Sequence, residues 1–169
     1  MRQKERWLLL LALLAIVVLV GADQLIKLWA ATSLIQQPVS VVDGVFELQY
    51  LENRGAAFGI LQDHRWVFMV LTGIFVLVAL YALIFKKFAH PVTKWAVVLL
   101  CAGGMGNMID RIFRGYVVDM FYFKLIDFPI FNFADCCVVI GAILFVLGVI
   151  LSPGGAILAP KGRRYRRGR

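Results

Sequence analysis

The sequence predicts an all-α membrane protein with four transmembrane helices, a small extracytoplasmic β element and both termini in the cytoplasm. Of its 169 residues, 62% are hydrophobic and only 17% are charged, whereas an ordinary globular domain is about 45–50% apolar. Several apolar runs approach the roughly 20 residues that a helix needs to cross a bilayer. This composition favours a polytopic membrane protein over a soluble domain.

The positive charges predict the orientation of the chain. Twelve of the 18 lysines and arginines form three clusters. These are Arg2, Lys4 and Arg6; Lys86, Lys87 and Lys94; and Lys161, Arg163, Arg164, Arg166, Arg167 and Arg169. Because loops rich in Lys and Arg stay in the cytoplasm, the clusters place both termini and the middle connection there. We expect the basic tail, residues 156–169, to meet anionic lipid rather than nucleic acid.

One membrane domain, residues 1–155, contains all four predicted spans. The spans cover about residues 7–31, 66–85, 95–113 and 134–151. The second is an uncharged run of 20 residues and meets the spanning criterion by itself. The first begins like a secretory signal peptide, with Val20-Gly21-Ala22 as a possible cleavage site. Cleavage would remove the cytoplasmic end from a chain with three further segments to orient, so we favour a retained span.

Two charged residues lie in the first span at helical spacing. Asp23 precedes Lys27 by four positions, which is the favourable order for an ion pair on one helix face. Two interpretations stay open at this point. The pair is either a structural feature at the outer end of the span, or Asp23 reaches into a functional site.

Residues 38–60 are predicted to form the outer β loop. Asp43-Gly44 is a hairpin turn signal, and the segment after it alternates apolar and polar residues, as a half-buried strand does. From Asn53 onwards the chain mixes small residues with an amide and a cation. Glycines such as Gly55 would let the backbone approach a bound peptide, although an ordinary loop would explain the same residues.

The third span carries an unusual polar face. Asn107, Asp110 and Arg111 share one side of a helix at positions i, i+3 and i+4. Ionisable groups at membrane depth are unfavourable by about 2.5–3.5 kcal/mol each and often mark functional sites. The face is interpreted either as a structural ion-pair network or as support for a catalytic site. Close helix packing is predicted for the three glycines that precede it, Gly103, Gly104 and Gly106.

Two further carboxylates are predicted to share a site. Asp119 lies in a β-prone connection after the third span, and Asp135 lies at the start of the fourth. Each carboxylate taken by itself has a simpler explanation. For Asp135, Asn132 could cap the fourth helix, and an acid three residues later would favour the positive end of that helix. Two carboxylates in one site share a proton, so one can activate water while the other protonates a scissile amide. We expect Asp119 to hold the proton and Asp135 to be ionised.

Cysteine and histidine give no sign of metal or redox chemistry. Cys101, Cys136 and Cys137 form no CxxC or Cys/His metal pattern, and His64 and His90 are isolated. We therefore expect neither metal nor cofactor, and we interpret the thiols as packing residues.

Five segments together resemble bacterial lipoprotein signal peptidase (signal peptidase II), a family of aspartyl membrane proteases. They are Asp23-Gln24-xx-Lys27, Asn53-x-Gly55-Ala56-Ala57-Phe58, Gly103-Gly104-x-Gly106-Asn107-xx-Asp110-Arg111, Val117-Val118-Asp119 and Phe131-Asn132-x-Ala134-Asp135. The resemblance implies an endopeptidase that removes the signal peptide from prolipoproteins. Cleavage would occur N-terminal to the cysteine that carries diacylglyceryl.

The resemblance also implies roles for individual residues. Asp119 and Asp135 would be the catalytic pair. The supporting and substrate-binding set would comprise Asp23, Lys27, Asn53, Gly55, Gly104, Asn107, Asp110, Arg111 and Asn132. The enzyme would be a monomer in the bacterial cytoplasmic membrane, surrounded by membrane lipid, with its active site near the extracytoplasmic face and lipid-modified prolipoproteins as substrates.

Other function classes fit the sequence less well. A small four-span proton-coupled transporter would also use carboxylates in the membrane, but typically at the midplane and with repeat symmetry. A thiol oxidoreductase would need paired reactive cysteines. A non-enzymatic scaffold would tolerate the loss of both aspartates.

Overall fold

Four long helices and a small sheet make up the fold. The structure is a computed structural model that describes residues 3–55, 65–85 and 88–159. The helices are α1 (Gln3–Ser33), α2 (Arg65–Phe85), α3 (Pro91–Phe113) and α4 (Phe133–Ile150). The strands β1 (Val39–Val42), β2 (Phe46–Asn53) and β3 (Val117–Tyr122) form one antiparallel sheet in the order β1-β2-β3. The prediction of long apolar helices with a small β element is confirmed.

The helices differ in how well they meet the criterion for a membrane span. Among the described residues, α1, α3 and α4 are long and apolar enough to cross a membrane, and α2 contains a shorter apolar stretch, Met69–Phe85. Leu71 and Leu77 of α2 are 62% and 70% exposed, as expected for side chains that face lipid. Three membrane-length helices are therefore observed, and a spanning role for α2 stays a prediction.

The helix limits lie within two residues of the predicted spans except at two starts, that of α1, which begins four residues earlier at Gln3, and that of α3. That helix begins at Pro91 rather than near residue 95. Proline is favourable in a first helical turn, where its missing N–H would have no helical partner. His90 Nδ1 accepts a hydrogen bond from the Val92 backbone N–H at 3.2 Å. His90 therefore caps α3, and the helix begins before the apolar run from which the span was predicted.

Helix α3 packs against the other three helices, and glycines allow its close approach to α4. A Cβ on Gly103 would meet the carbonyl oxygen of Ala134, and one on Gly148 of α4 would meet Thr93. At Gly141 a Cβ would lie 3.1 Å from the Ala96 carbonyl oxygen. These contacts explain the small residues, because only glycine lets two helix backbones come this near.

The sheet contains the predicted hairpin and one pairing that was not predicted. Gly44 lies in the turn between β1 and β2 with φ of 72°, a left-handed conformation that favours glycine. β2 then continues to Asn53 and pairs with β3, so that Leu51 lies opposite Asp119 and Asn53 lies opposite Val117. The end of the outer loop is thereby joined to the connection between α3 and α4.

A small apolar core sets which way β3 faces. Val118 and Met120 are fully buried against Ala30 and Leu34 from the C-terminal end of α1. Because successive side chains of a strand point to opposite faces, Asp119 points away from this core. The carboxylate is thus directed to the other side of the sheet.

Some predictions fall on residues outside the described ranges. These are Arg2, the segment 56–64 with His64, the pair Lys86 and Lys87, and the tail from Lys161 to Arg169. What was predicted for them stays a prediction.

Replacement of Gly103 by alanine is expected to destabilise the helix bundle. The new Cβ meets a backbone oxygen that cannot move aside, and overpacking of this kind lowers the free energy of unfolding by about 1–3 kcal/mol. Gly21→Ala is the matched control, because a Cβ there has no atom within 4 Å and helix propensity improves by up to about 1 kcal/mol. Unfolding in mixed micelles, followed by circular dichroism, compares the two variants. Equal unfolding midpoints would contradict the packing argument.

Candidate active site

Polar side chains from several elements of the fold meet at one end of the helix bundle. Asp23, Lys27, Asp110, Asp119 and Asn132 are each no more than 1% exposed. They come from α1, α3, β3 and the residue before α4. Buried polar groups are tolerated when each has a hydrogen-bonding or charged partner, so their contacts define the site.

Lys27 joins α1 to α3. Its Nζ lies 2.9 Å from Asp23 Oδ2 and 3.0 Å from Asp110 Oδ2, and it donates to Asn107 Oδ1 at 2.8 Å. These three acceptors match the three protons of the ammonium group. The ion pair predicted within α1 is confirmed, and it extends to a second carboxylate on α3.

Asp23 also holds the start of α4. Its Oδ1 accepts a hydrogen bond from the Ala134 backbone N–H at 3.0 Å, one of the N–H groups that a helix leaves without an internal partner. Gln24 Nε2 donates to Asp23 Oδ2 and to the Gly106 carbonyl oxygen, both at 3.1 Å. The structural interpretation of Asp23 therefore applies, since it pairs with Lys27 and also bonds to the start of α4, while its part in a functional site stays a prediction.

Asp110 connects α3 to β3. Its Oδ2 accepts from the Val118 backbone N–H at 3.2 Å, next to Asp119. The same oxygen faces the Lys27 ammonium. The buried ion pairs thus fix both the beginning of α4 and the strand that carries Asp119.

Asn132 caps α4, and it contacts both candidate catalytic carboxylates. Its Oδ1 accepts from the Asp135 backbone N–H at 2.9 Å, and its own backbone N–H donates to Asp135 Oδ2 at 3.1 Å. This reciprocal arrangement is a capping box, so the predicted cap is confirmed. Asn132 Nδ2 donates to Asp119 Oδ1 and, at 3.2 Å, to Asn107 Oδ1.

Each carboxylate has a further amide partner. Asn53 Nδ2 donates to Asp119 Oδ2 at 2.9 Å, and Asn107 Nδ2 donates to Asp135 Oδ1 at 2.8 Å. Together with Asn132, these amides engage both oxygens of both carboxylates. The structure thereby brings together the two aspartates and three asparagines that the sequence singled out.

Burial and a neighbouring charge shift the titration of Asp119. Burial has the larger effect, and with the negative charge of Asp135 it raises the pKa of Asp119 to about 6. The hydrogen bonds from Asn53 and Asn132, and the positive charge of Lys27, act in the opposite direction. Asp119 is therefore partly protonated near neutral pH, which a carboxylic acid that donates a proton requires.

Arg111 secures the end of β2. Its Nη2 donates to the Gly55 carbonyl oxygen at 3.1 Å, and its Nη1 donates to the Asn107 carbonyl oxygen at 3.3 Å. The Gly55 backbone N–H in turn donates to Asn53 Oδ1 at 3.0 Å. This chain of contacts orients the Asn53 amide toward Asp119.

The polar network forms one wall of a cavity of about 610 Å³. The polar wall consists of Asn53, Asn107, Arg111, Asp119, Asn132 and Asp135. The remaining lining is largely apolar and includes Phe128, Ile130, Cys136, Val138, Val139 and Ile140. An apolar cavity with a few convergent polar groups suits a ligand that places one polar bond beside apolar chains.

Gly104 does not line the cavity, and its contacts are those of the helix packing predicted for it, while a part in substrate binding stays a prediction. A Cβ there would lie 3.2 Å from Thr72 and 3.6 Å from Val76 of α2. Successive helical residues turn by about 100°, so Gly103 faces α4 while Gly104 faces α2.

Other parts of the cavity were missed by sequence reasoning. Cys136 was interpreted as a packing residue, but it lines the cavity beside Asp135. The residues 128–130 and 138–140 carry no signal in the sequence, because apolar residues that line a cavity look like any other apolar stretch of this chain. Gln24 directly follows Asp23 on α1, and adjacent helical positions do not face each other, so its contact with Asp23 was not predictable from the spacing. Among the described residues, no three His, Cys, Asp or Glu side chains are grouped to hold a metal ion.

The fold and the site define a bacterial-type membrane enzyme. One solved structure described as a bacterial membrane enzyme matches with a TM-score of 0.75 and 34% identity, over 82% of this chain and 87% of its own. A second with the same description has a TM-score of 0.74 and 33% identity, over 84% and 94% of the two chains.

Sequence relatives give the family. The model for signal peptidase (SPase) II matches residues 14–151. The lipoprotein signal peptidase of Clostridioides difficile (strain 630) is 39% identical over 135 residues, which cover 79% of this chain and 90% of that protein. The lipoprotein signal peptidase of Streptococcus thermophilus (strain CNRZ 1066) is 42% identical over 137 residues, covering 79% and 88%. The chain belongs to the signal peptidase II family, and the predicted resemblance is confirmed.

Replacement of Lys27 by methionine is expected to destabilise the fold strongly. The Asp23 carboxylate would stay buried without a cation, and Asp110 would keep only Arg114, whose Nε lies 3.6 Å from Asp110 Oδ1. Breaking a buried ion pair in this way lowers the free energy of unfolding by about 3–5 kcal/mol. The double variant Lys27→Met/Asp110→Asn removes one of the two carboxylates that lose Lys27 and should recover part of the loss. Denaturation in mixed micelles measures both. A single variant as stable as the wild type would show that the ammonium group does not hold α1 to α3.

Proposed function

We propose that the chain is an aspartic endopeptidase that removes the signal peptide from prolipoproteins. It cleaves N-terminal to the cysteine that carries diacylglyceryl. The observation that carries the proposal is the pair Asp119 and Asp135, both bonded to Asn132 and both lining one cavity with an apolar wall. The names of the relatives support the substrate class, since they are lipoprotein signal peptidases.

The proposed chemistry divides acid and base work between the two carboxylates. Asp135 accepts a proton from a water molecule as the water oxygen attacks the carbonyl carbon of the scissile bond. Asp119 donates its proton to the leaving amide nitrogen as the C–N bond breaks. The raised pKa of Asp119 supports its role as acid. Two N–H donors and the positive end of α4 face the negative charge on Asp135.

The remaining polar residues act as positioning groups in this proposal. Asn53 and Asn132 hold Asp119, and Asn107 holds Asp135. Arg111 and Gly55 position Asn53 at the end of β2. The ion pairs of Lys27 with Asp23 and Asp110 fix the elements that bear the two carboxylates.

We further propose that all four helices span the bacterial cytoplasmic membrane, with α2 as the second span. Both termini are cytoplasmic, because the basic clusters of the sequence flank the ends of the helices opposite the carboxylate pair. The active site then lies near the extracytoplasmic face. A monomer is sufficient, since one chain supplies the whole polar network. The substrate stays in the bilayer through its lipid, and the apolar wall at Val138, Val139 and Ile140 receives apolar parts of it.

Cleavage of a purified precursor tests this proposal. Asp119→Asn and Asp135→Asn preserve side-chain shape but remove the acid or the base, and loss of a general acid–base group lowers the rate by about 100- to 10,000-fold. The substrate is a diacylglyceryl-cysteine precursor in detergent, with the unlipidated precursor beside it. Asp43→Asn is the matched control, because Asp43 is an exposed residue of the hairpin turn and should cut at the wild-type rate.

Two outcomes would contradict the peptidase proposal. The first is a wild-type protein that cuts no lipidated precursor. The second is folded Asn variants that cut as fast as Asp43→Asn does. Either result would direct attention to proton-coupled transport, the other function that uses paired carboxylates in a membrane.

The cleavage rate is expected to fall as the pH rises through about 6. The pKa of Asp119 is raised to about 6, so its proton, which the leaving group requires, is lost above that pH. kcat/KM should then decrease about tenfold per pH unit above that pH, which is the alkaline limb of the bell-shaped profile expected for a carboxylate pair. Asn53→Ala removes a hydrogen bond that lowers the pKa and should move the alkaline limb upward by about one unit. A rate that is flat from pH 4 to 9 would rule out the shared proton.

A further inference from the structure

Each side-chain amide at the carboxylate pair has two N–H protons, and the three asparagines differ in how many they use. Asn132 Nδ2 uses both, since it donates to Asp119 Oδ1 and to Asn107 Oδ1. Asn53 Nδ2 donates only to Asp119 Oδ2, at 2.9 Å. Asn107 Nδ2 donates only to Asp135 Oδ1, at 2.8 Å. Among the described residues, the amides of Asn53 and Asn107 therefore each keep one N–H without an acceptor.

The Asn53 amide is held in one orientation at the cavity. Its Oδ1 accepts from the Gly55 backbone N–H at 3.0 Å, so its nitrogen is the end that faces Asp119. Arg111 holds Gly55 in turn through the Gly55 carbonyl oxygen. Asn53 and Asp119 both line the cavity. An N–H that has no protein acceptor there is available to an acceptor on a molecule that enters the cavity.

Hydrolysis of an amide creates a negative charge that needs such a donor. When the water oxygen bonds to the carbonyl carbon, one electron pair of the C=O bond moves to the carbonyl oxygen, and the water proton passes to Asp135. When the C–N bond then breaks, that pair re-forms the C=O bond, and the leaving nitrogen receives the proton of Asp119. A donor aimed at the carbonyl oxygen stabilises the intermediate more than the substrate, because the full negative charge exists only in the intermediate.

Asn53 is better placed for this charge than Asn107 is. The carbonyl oxygen and the leaving nitrogen are bonded to the same carbon, so the oxyanion lies close to the acid that protonates the nitrogen. Asn53 bonds to that acid, Asp119. Asn107 bonds instead to Asp135, which faces the attacking water.

We propose that Asn53 is a further catalytic residue, which donates its second Nδ2 proton in a hydrogen bond to the oxyanion of the tetrahedral intermediate. The inference rests on the proposed function and adds to it a group that contacts the reacting atoms. Asn53 then has two roles, since one N–H holds the acid and the other stabilises the charge that develops beside it.

Paired changes in the enzyme and in the substrate test this contact. The diacylglyceryl-cysteine precursor is made with the natural scissile amide and with a thioamide, in which sulfur replaces the carbonyl oxygen and accepts hydrogen bonds more weakly. At a pH below the alkaline limb, Asn53→Ala should lower kcat for the amide about 100- to 1,000-fold. The ratio of the amide rate to the thioamide rate should also fall about tenfold in the variant, because no hydrogen bond to the carbonyl oxygen is left for sulfur to weaken.

The ratio separates this role from a purely structural one. If Asn53 only held Asp119 in place, its loss would slow both precursors equally. An unchanged ratio, or an unchanged kcat, would therefore overturn the inference. Glu52→Gln is the matched control, because Glu52 directly precedes Asn53 on β2 but pairs with Arg54 at the surface; both of its rates should equal those of the wild type.

Asn53→Leu is the second variant, for the case in which alanine unfolds the end of β2. Leucine has a similar branched shape without a donor, and it should give the same loss and the same change of ratio. A wild-type protein that cuts neither precursor contradicts the proposed function itself. A peptidase that needs both aspartates, but whose Asn53 variants keep the wild-type ratio, contradicts this inference alone.

Discussion

A buried ammonium group constrains the whole structure. Lys27 is fully buried, and a buried charge must be neutralised and hydrogen-bonded within the protein. Asp23 and Asp110 supply the two negative charges, and each carboxylate also accepts a hydrogen bond from a backbone N–H of another element. Asp23 receives the N–H of Ala134 at the start of α4, and Asp110 receives that of Val118 in β3. One cation therefore fixes the positions of three helices and a strand.

The candidate catalytic pair is a product of that arrangement. Asp119 and Asp135 lie on the strand and the helix that the ion pairs hold. Asn132 bonds to both, through its side-chain Nδ2 to Asp119 Oδ1 and through its backbone N–H to Asp135 Oδ2. Side-chain amides suit this position because they donate and accept without adding charge. Lys27 and Arg111 donate to Asn107 and to the Gly55 carbonyl oxygen, and their positive charges also act on the carboxylates. Burial and the charge of Asp135 together raise the pKa of Asp119.

The molecule is polar inside at one end and apolar at the other. The end with the carboxylates has a cavity with one polar and one apolar wall, as a lipid-bearing peptide would need. The end with Phe88 and Leu158 has a second cavity that only apolar side chains line. Glycines such as Gly103 and Gly148 bring α3 and α4 close together between these two ends.

The sequence by itself determined the features that depend on neighbours along the chain. Apolar runs predicted the helices, Asp43-Gly44 predicted the hairpin, and the spacing of Asn132 and Asp135 predicted the cap. The pairing of β2 with β3, the second partner of Lys27, and the helix that Gly104 packs against became evident only in the tertiary structure. The physical reason is that these contacts depend on strand register and on helix rotation, where a shift of one residue moves a side chain to another face. Local spacing indicates which residues share a face, but distant backbone contacts decide what that face meets.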